Sequence, residues 1–263
     1  LGDERDLSPQ PVAGLIGAAG IVAGGRHACA RMRDHTLRCW GSNDRGQLGD
    51  GTKTSRFAPA SVKSLANVDV VVTAGDTTCA GESAGKVHCW GWLGVSKLGG
   101  SAHEASTPTV VPGLAASSVR SLALANRVCA RMADASVLCT GDDFSGLGDP
   151  SDQWTRTHPA GTTVALAGNG FHVCAVLKVG ALDCWGTNAF GELGDGTLKT
   201  RHEPVRVVGL ADVVEVAPAS GNHTCARRKD GSVACWGRNL YGGLGDGTNT
   251  DRPVPVPIDP SAR

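Results

Sequence analysis

The tripeptide Leu-Gly-Asp starts at Leu1, Leu48, Leu147, Leu193 and Leu244, and Leu98-Gly99-Gly100 is a variant of it. The steps between these six leucines are 47, 50, 49, 46 and 51 residues. A near-constant period of this size restricts the chain to a repeat architecture, because each unit is a small element that buries its apolar face only against its neighbours. A second signature keeps phase with the first: Cys-Trp-Gly at Cys39, Cys89, Cys184 and Cys235, with Cys139-Thr140-Gly141 as the copy lacking Trp. Ten residues before each of these cysteines stands another, at Cys29, Cys79, Cys129, Cys174 and Cys225.

Local chemistry makes the unit all-β. Val68-Asp69-Val70-Val71 and Val214-Glu215-Val216-Ala217 are short runs rich in β-branched Val, which suits strands. The stretch His223 to Trp236 reads as two strands around Lys229-Asp230-Gly231, a hairpin signal in which Gly supplies the positive φ. Asn239 to Thr248 is a Gly-studded turn leading to Pro253 and an edge strand. Four short strands per unit predict the blade of a β-propeller. The expectation is a single domain over 1–263, with units at about 1–47, 48–97, 98–146, 147–192 and 193–243. A partial closing or linking unit follows at 244–263.

Gly-x-x-His-x-Cys-Ala, Cys-Trp-Gly-x-Asn and Gly-Gln-Leu-Gly-Asp-Gly-Thr together resemble the repeat of the regulator of chromosome condensation family. The best copies run from Gly24 to Gly51 and from Gly221 to Gly247, and the resemblance covers essentially the whole chain. Well-known members close a ring of seven blades, whereas five full units stand here. Three alternatives follow: five blades close, the chain is part of a longer one, or its ends meet a second copy. The family's best-known activity is nucleotide exchange on a small nuclear GTPase with docking to chromatin. Paired cysteines and a neutral charge balance oppose that role. A light-sensing branch carries Gly-Trp-Arg-His-Thr; the matching stretch is Gly24-Gly25-Arg26-His27-Ala28, without the Trp, so photoreception is not expected.

The paired cysteines flank the hairpin turn symmetrically, since Asp230 is the midpoint of Cys225 and Cys235. Opposed residues of a narrow antiparallel pair lie about 4.5 Å apart at Cα, within reach of a disulfide. The expected pairs are Cys29–Cys39, Cys79–Cys89, Cys129–Cys139, Cys174–Cys184 and Cys225–Cys235. Reduced buried cysteines and a metal site are the competing readings. Zinc ligands usually come two to four residues apart, which a ten-residue step does not match. Persistent disulfides imply an oxidising location: secreted, periplasmic or at a cell surface.

Lys+Arg and Asp+Glu both total 25, which argues against nucleic acid as a partner. No run of 18 apolar residues suggests membrane insertion. Neither a metal nor a cofactor motif appears. His27, His172 and His223 share one repeated position, which implies a histidine hydrogen-bonded inside its own blade rather than a catalytic base. Asp50, Asp195 and Asp246 precede Gly and read as turn residues rather than calcium ligands. The sequon Asn222-His223-Thr224 leads straight into a strand expected to be buried. No catalytic residue is nominated.

Two variable residues per unit fall between Cys-Trp-Gly-x-Asn and the next recurring Gly. They are Asp44-Arg45, Phe144-Ser145, Ala189-Phe190 and Leu240-Tyr241, while the second unit has Trp92 just before Gly94-Val95. Arg45, Trp92, Phe144, Phe190 and Tyr241 therefore form a candidate binding face, since aromatics with an Arg commonly anchor interfaces. Own-blade packing is the competing explanation, favoured for Phe190 and Tyr241, with Phe144 expected to be the most exposed. The function expected is a non-catalytic binding or scaffold module for an unknown protein or glycan. Head-to-tail self-association through the terminal Leu-Gly-Asp segments and an enzyme with a cryptic central-channel site are the alternatives.

Overall fold

The computed structural model describes residues 11–93, 104–114, 119–125, 127–140, 154–168 and 170–258. They form five four-stranded antiparallel sheets, each contiguous in sequence and each a simple meander. Blade 1 holds β1 (Ala18–Ala23), β2 (His27–Met32), β3 (Leu37–Gly41) and β4 (Arg56–Ser61). Blade 2 holds β5 (Val68–Ala74), β6 (Thr77–Glu82), β7 (Val87–Trp92) and β8 (Glu104–Val110). Blade 3 holds β9 (Val119–Leu124), β10 (Val128–Met132), β11 (Val137–Thr140) and the short β12 (Thr155–Thr157). Blade 4 holds β13 (Thr163–Gly168), β14 (His172–Leu177), β15 (Leu182–Gly186) and β16 (Arg201–Arg206). Blade 5 holds β17 (Val213–Ala219), β18 (His223–Arg228), β19 (Val233–Gly237) and β20 (Arg252–Pro257). Among the described residues no helix is long and apolar enough to cross a membrane.

The blade is offset from the written repeat. The segment after Leu48-Gly49-Asp50 supplies β4, the outer strand of the sheet that precedes it. Four outer strands carry proline, at Pro59, Pro108, Pro204 and Pro253. An edge strand needs no ladder bond on its outer side, and Pro there also discourages pairing with other chains.

The chain divides into two compact units, one built on β1–β8 and one on β9–β20. In the first, Cys29, Leu37, Cys39, Leu48 and Val62 of blade 1 and its loops pack against Val68, Ala80 and Trp90 of blade 2. In the second, Cys174, Leu182, Cys184 and Val207 of blade 4 lie beneath Val213, Val216 and Trp236 of blade 5. Cys129 and Cys139 likewise lie against Leu166 and Trp185. Each of these bridges is thus an apolar patch that the next blade covers. Trp90, Trp185 and Trp236 are fully buried, whereas Trp40, on the first blade, is only partly so.

All ten cysteines are bridged within their hairpins, with Cα atoms 4.1 Å apart in every pair. The partners are directly opposed in register. The Gly after each Trp is forced by geometry. Gly41, Gly91, Gly186 and Gly237 have φ of 108°, 86°, 121° and 99°. A Cβ on Gly91 would lie 2.2 Å from the Asp76 carbonyl oxygen, and one on Gly186 2.6 Å from that of Phe171.

Candidate functional site

The turn between the third and fourth strands of a blade is built around one asparagine. Asn43 Nδ2 donates to Asp50 Oδ1 at 3.2 Å and to the Thr52 and Thr54 carbonyls at 3.0 and 3.1 Å. Its Oδ1 accepts from the Leu48 amide at 2.9 Å. Asn188 repeats the Asp, first Thr and Leu bonds with Asp195, Thr197 and Leu193, and Asn239 does so with Asp246, Thr248 and Leu244. The second carboxylate oxygen of each aspartate accepts from an arginine: Arg56 at 2.9 Å, Arg201 at 3.0 Å and Arg252 at 2.8 Å.

These carboxylates are held ionised. Burial works against the charge on Asp50 and Asp195, but bonds from Thr52 and Arg56, and from Thr197 and Arg201, outweigh it and leave both below the usual range. Asp246 falls to about 2, first through Thr248 and then, against some desolvation, through Arg252. The Asp-Gly carboxylates are therefore taken up by their own turns. The spacing Asn-x6-Asp-x-Thr-x3-Arg, repeated in three units, is a sequence signal for this cassette that the Leu-Gly-Asp motif alone conceals.

With the interior of the turn satisfied, its outward positions are where blades differ. In the first unit the Arg45 guanidinium lies 4.8 Å from the Trp92 ring centroid and also pairs with Glu104, which Lys53 contacts as well. Lys53 and then Arg45 lower the Glu104 pKa. In the second unit the Arg238 guanidinium lies 4.7 Å over Phe190. Phe190 occupies the register of Arg45, and Arg238 that of Trp92. The same two positions on consecutive blades thus form a cation–π pair with the residues exchanged. Tyr241, in the register of Arg45 and Phe190, is 93 % exposed rather than packed on its blade, and Leu240 beside it is 50 % exposed. Phe144 lies outside the described residues.

The repeated histidine does not serve its own blade. His27 Nε2 lies 2.8 Å from Thr78 Oγ1 on the following blade, and His172 Nε2 lies 2.6 Å from Thr224 Oγ1. Each hydroxyl in turn donates to a turn carbonyl of the histidine's blade: Thr78 to Gln47 and Thr224 to Glu192, both at 2.9 Å. The hydroxyl proton is thereby committed, so the imidazole donates through Nε2. The same carbonyls accept from the indoles of Trp90 at 2.9 Å and Trp236 at 2.8 Å. Burial lowers His27 to about 4 and, with help from His223, His172 to about 3. Both rings are neutral structural donors at physiological pH. His223 occupies the same register on blade 5. Its sequon neighbour Thr224 is fully buried, which keeps that hydroxyl from solvent.

Among the described residues no three His, Cys, Asp or Glu side chains converge on a possible metal position. The site therefore comprises turns and joints. Four-stranded meander sheets, three of which cover the bridge of the preceding sheet with a Trp, define a β-propeller repeat protein.

Family models for the regulator of chromosome condensation (RCC1) repeat match residues 34–80, 180–227 and 230–263, and also 19–47 and 213–242. The chain belongs to the RCC1 repeat family. The Ultraviolet-B receptor UVR8 of Arabidopsis thaliana is 28 % identical over 98 % of this chain and 62 % of its own length. Human E3 ubiquitin-protein ligase HERC2 is 28 % identical over 89 % of this chain, which corresponds to 5 % of the ligase. The chain thus spans under two thirds of both relatives. Among solved structures, human WBSCR16 matches 91 % of the chain with a TM-score of 0.76 at 21 % identity and 66 % of its own length. Yeast RCC1 (Prp20), solved bound to Kap60, matches 92 % with a TM-score of 0.59 at 18 % identity and 75 % of its own length. At these identities the structures bear on fold alone.

Proposed function

We propose that the chain is a non-catalytic binding module of an oxidising compartment, secreted, periplasmic or cell-surface. On this reading it recognises a protein or glycan through the outward residues of its third-to-fourth-strand turns. The observation that carries the proposal is the division of labour in those turns. Asn, Asp, Thr and Arg hold a constant frame, while Arg45 with Trp92, and Leu240 with Tyr241, put cationic, aromatic and apolar surface outside it. Exposed Tyr, Trp and Arg on a rigid support are effective anchors, because they bring contact area with little side-chain entropy to lose. Five disulfides suit an oxidising location. The yeast relative solved with Kap60 is a protein-binding member of the fold.

Paired capture tests this reading. The chain and its Arg45→Ser/Tyr241→Ser variant are immobilised unreduced and exposed to surface and secreted material of the source. The expected result is a ligand retained by the parent and lost with the variant, with melting temperatures unchanged. Equal capture by both, or none by either, overturns the proposal.

A further inference from the structure

One joint of the chain is polar where the corresponding joints are apolar. In every blade, one residue at the end of the outer strand lies opposite the position two before the second cysteine. It is Val62, Val111, Val207 and Ile258 in four blades, and Thr157 in blade 3. The residue opening each blade lies opposite the position three after the first cysteine. It is Val68, Val119 and Val213 in blades 2, 3 and 5, Ala18 in blade 1, and Thr163 in blade 4. Val62 shares a core with Val68, and Val207 with Val213. Where blade 3 meets blade 4, both members of this pair are threonine.

Thr157 and Thr163 are 4 % and 1 % exposed, and neither hydroxyl has a hydrogen-bond partner among the described residues. Threonine is close to valine in size, so the exchange gains no packing. It strands two hydroxyls instead, each desolvated with no bond to offset the cost. Two such exchanges on facing elements of one joint mark a place kept polar for something other than the fold.

Both threonines line a cavity of about 420 Å³, with Asp134 and Ser136 of the β10–β11 hairpin and Arg156 and His158 at the outer strand. Every lining residue belongs to the compact unit built on β9–β20. The Asp134 carboxylate accepts from the Ser136 amide at 2.9 Å. Bonds from Ser136 first, and the Arg156 charge as well, hold its pKa below the ordinary value. The cavity thus presents one anion and one cation in balance, among hydroxyl and imidazole groups. A ligand of net charge would leave one of these charges without a counterpart. No set of metal ligands is present among the described residues. An uncharged compound with several adjacent hydroxyls matches, since each hydroxyl can accept from Arg156, donate to Asp134 or do both with a threonine. Rotation about χ1 exchanges the hydroxyl and methyl of a threonine, so either hydroxyl can turn to a ligand without backbone movement. The volume lies in the range of small-molecule sites.

We propose that this cavity binds a sugar unit, with Thr157 and Thr163 as its buried hydroxyl contacts and Arg156 and Asp134 as its charged ones. The site is separate from the third-to-fourth-strand turns, and the proposal does not depend on the reading of those turns.

Amide NMR titration of the full chain tests this with D-glucose, D-galactose, D-mannose and N-acetyl-D-glucosamine, each as the free sugar and as its methyl glycoside. At least one is expected to shift resonances within 134–137 and 156–163. A methyl glycoside that binds as well as its free sugar supports the site and points to the end of a glycan. One that binds less well supports it and points to a free sugar. Thr157→Val/Thr163→Val should weaken binding by about tenfold or more and raise the melting temperature, because it restores the valine pair of the other joints. Arg156→Gln should weaken binding with the melting temperature unchanged. Glycine, a zwitterion of balanced charge, serves as the control. No shift with any sugar, shifts only elsewhere, or shifts with glycine alone would overturn the proposal. Equal binding by the valine variant, or a lower melting temperature for it, would do the same.

Discussion

The imidazole of His172 and the hydroxyl of Thr224 meet at 2.6 Å across the boundary between blades 4 and 5, though 52 residues separate them. The hydroxyl passes the bond on to the Glu192 carbonyl, which also accepts the Trp236 indole. One buried threonine thus links three groups on two blades. Thr224→Val keeps the shape but strands the imidazole, so it should cost about 1–3 kcal/mol. Thr78→Val should cost a similar amount. Urea unfolding is the check, and a change below a few tenths of a kcal/mol would show the link to be incidental.

Acid should act on these joints before it reaches the carboxylates. The folded His27 has a pKa of about 4 and His172 of about 3, both below the ordinary 6.5. The unfolded chain therefore binds more protons, and stability falls as pH drops from about 6.5 to about 4. The loss from His27 alone is on the order of 3 kcal/mol. His27→Asn, which cannot titrate there, should flatten the stability profile across that window. An unaltered slope would assign the acid sensitivity elsewhere. Asp50, Asp195 and Asp246, whose pKa values are lowered, are expected to add their own loss only below about pH 4.

The hairpin between the cysteines places one residue in the left-handed region. Gly85, Gly180 and Gly231 fill that position in three blades, with φ of 87°, 76° and 88°. His35 and Ala135 hold it in the others at 62° and 65°. Ala135→Gly should therefore stabilise by about 0.5–1 kcal/mol, because it relieves a Cβ clash. Gly180→Ala should destabilise by about 1 kcal/mol or more, since its Cβ would lie 2.9 Å from Asp212 Cα. Thermal melts of both variants decide the sign.

Blade 3 should open first within its unit. Thr140 replaces the Trp of other blades, and β12 has three residues where β16 and β20 have six. Lost aromatic burial amounts to several kcal/mol unless neighbours fill the space, roughly 3–5 for a Trp truncation. Hydrogen exchange should be faster in β10 and β11 than in β18 and β19. The reverse order would mean that the blade is sealed by other means.

Much of this was legible in the sequence because it is local. The ten-residue cysteine step, the Asp-Gly turn and the Val runs each act within a few residues and give hairpins directly. The joints were less legible, since His27 and Thr78 belong to different repeats and their relation emerges only when adjacent units are compared. For the same reason the sequence alone places the histidine's bond within its own blade. The exchange of Arg45 and Trp92 for Phe190 and Arg238 is equally hidden, since neither residue type is constant at either position. Tyr241 was expected to pack because its unit is regular, but the stacking partner in this register comes from the following blade rather than its own.

Each blade is closed by its own disulfide, and the proposed oxidising compartment rests on those bridges. Peptide mapping of the native protein, alkylated and digested without reduction, decides whether they form. The expected result is five bridges, Cys29–Cys39, Cys79–Cys89, Cys129–Cys139, Cys174–Cys184 and Cys225–Cys235, and no alkylated cysteine. Free thiols at most of these positions in protein isolated from its source would contradict it.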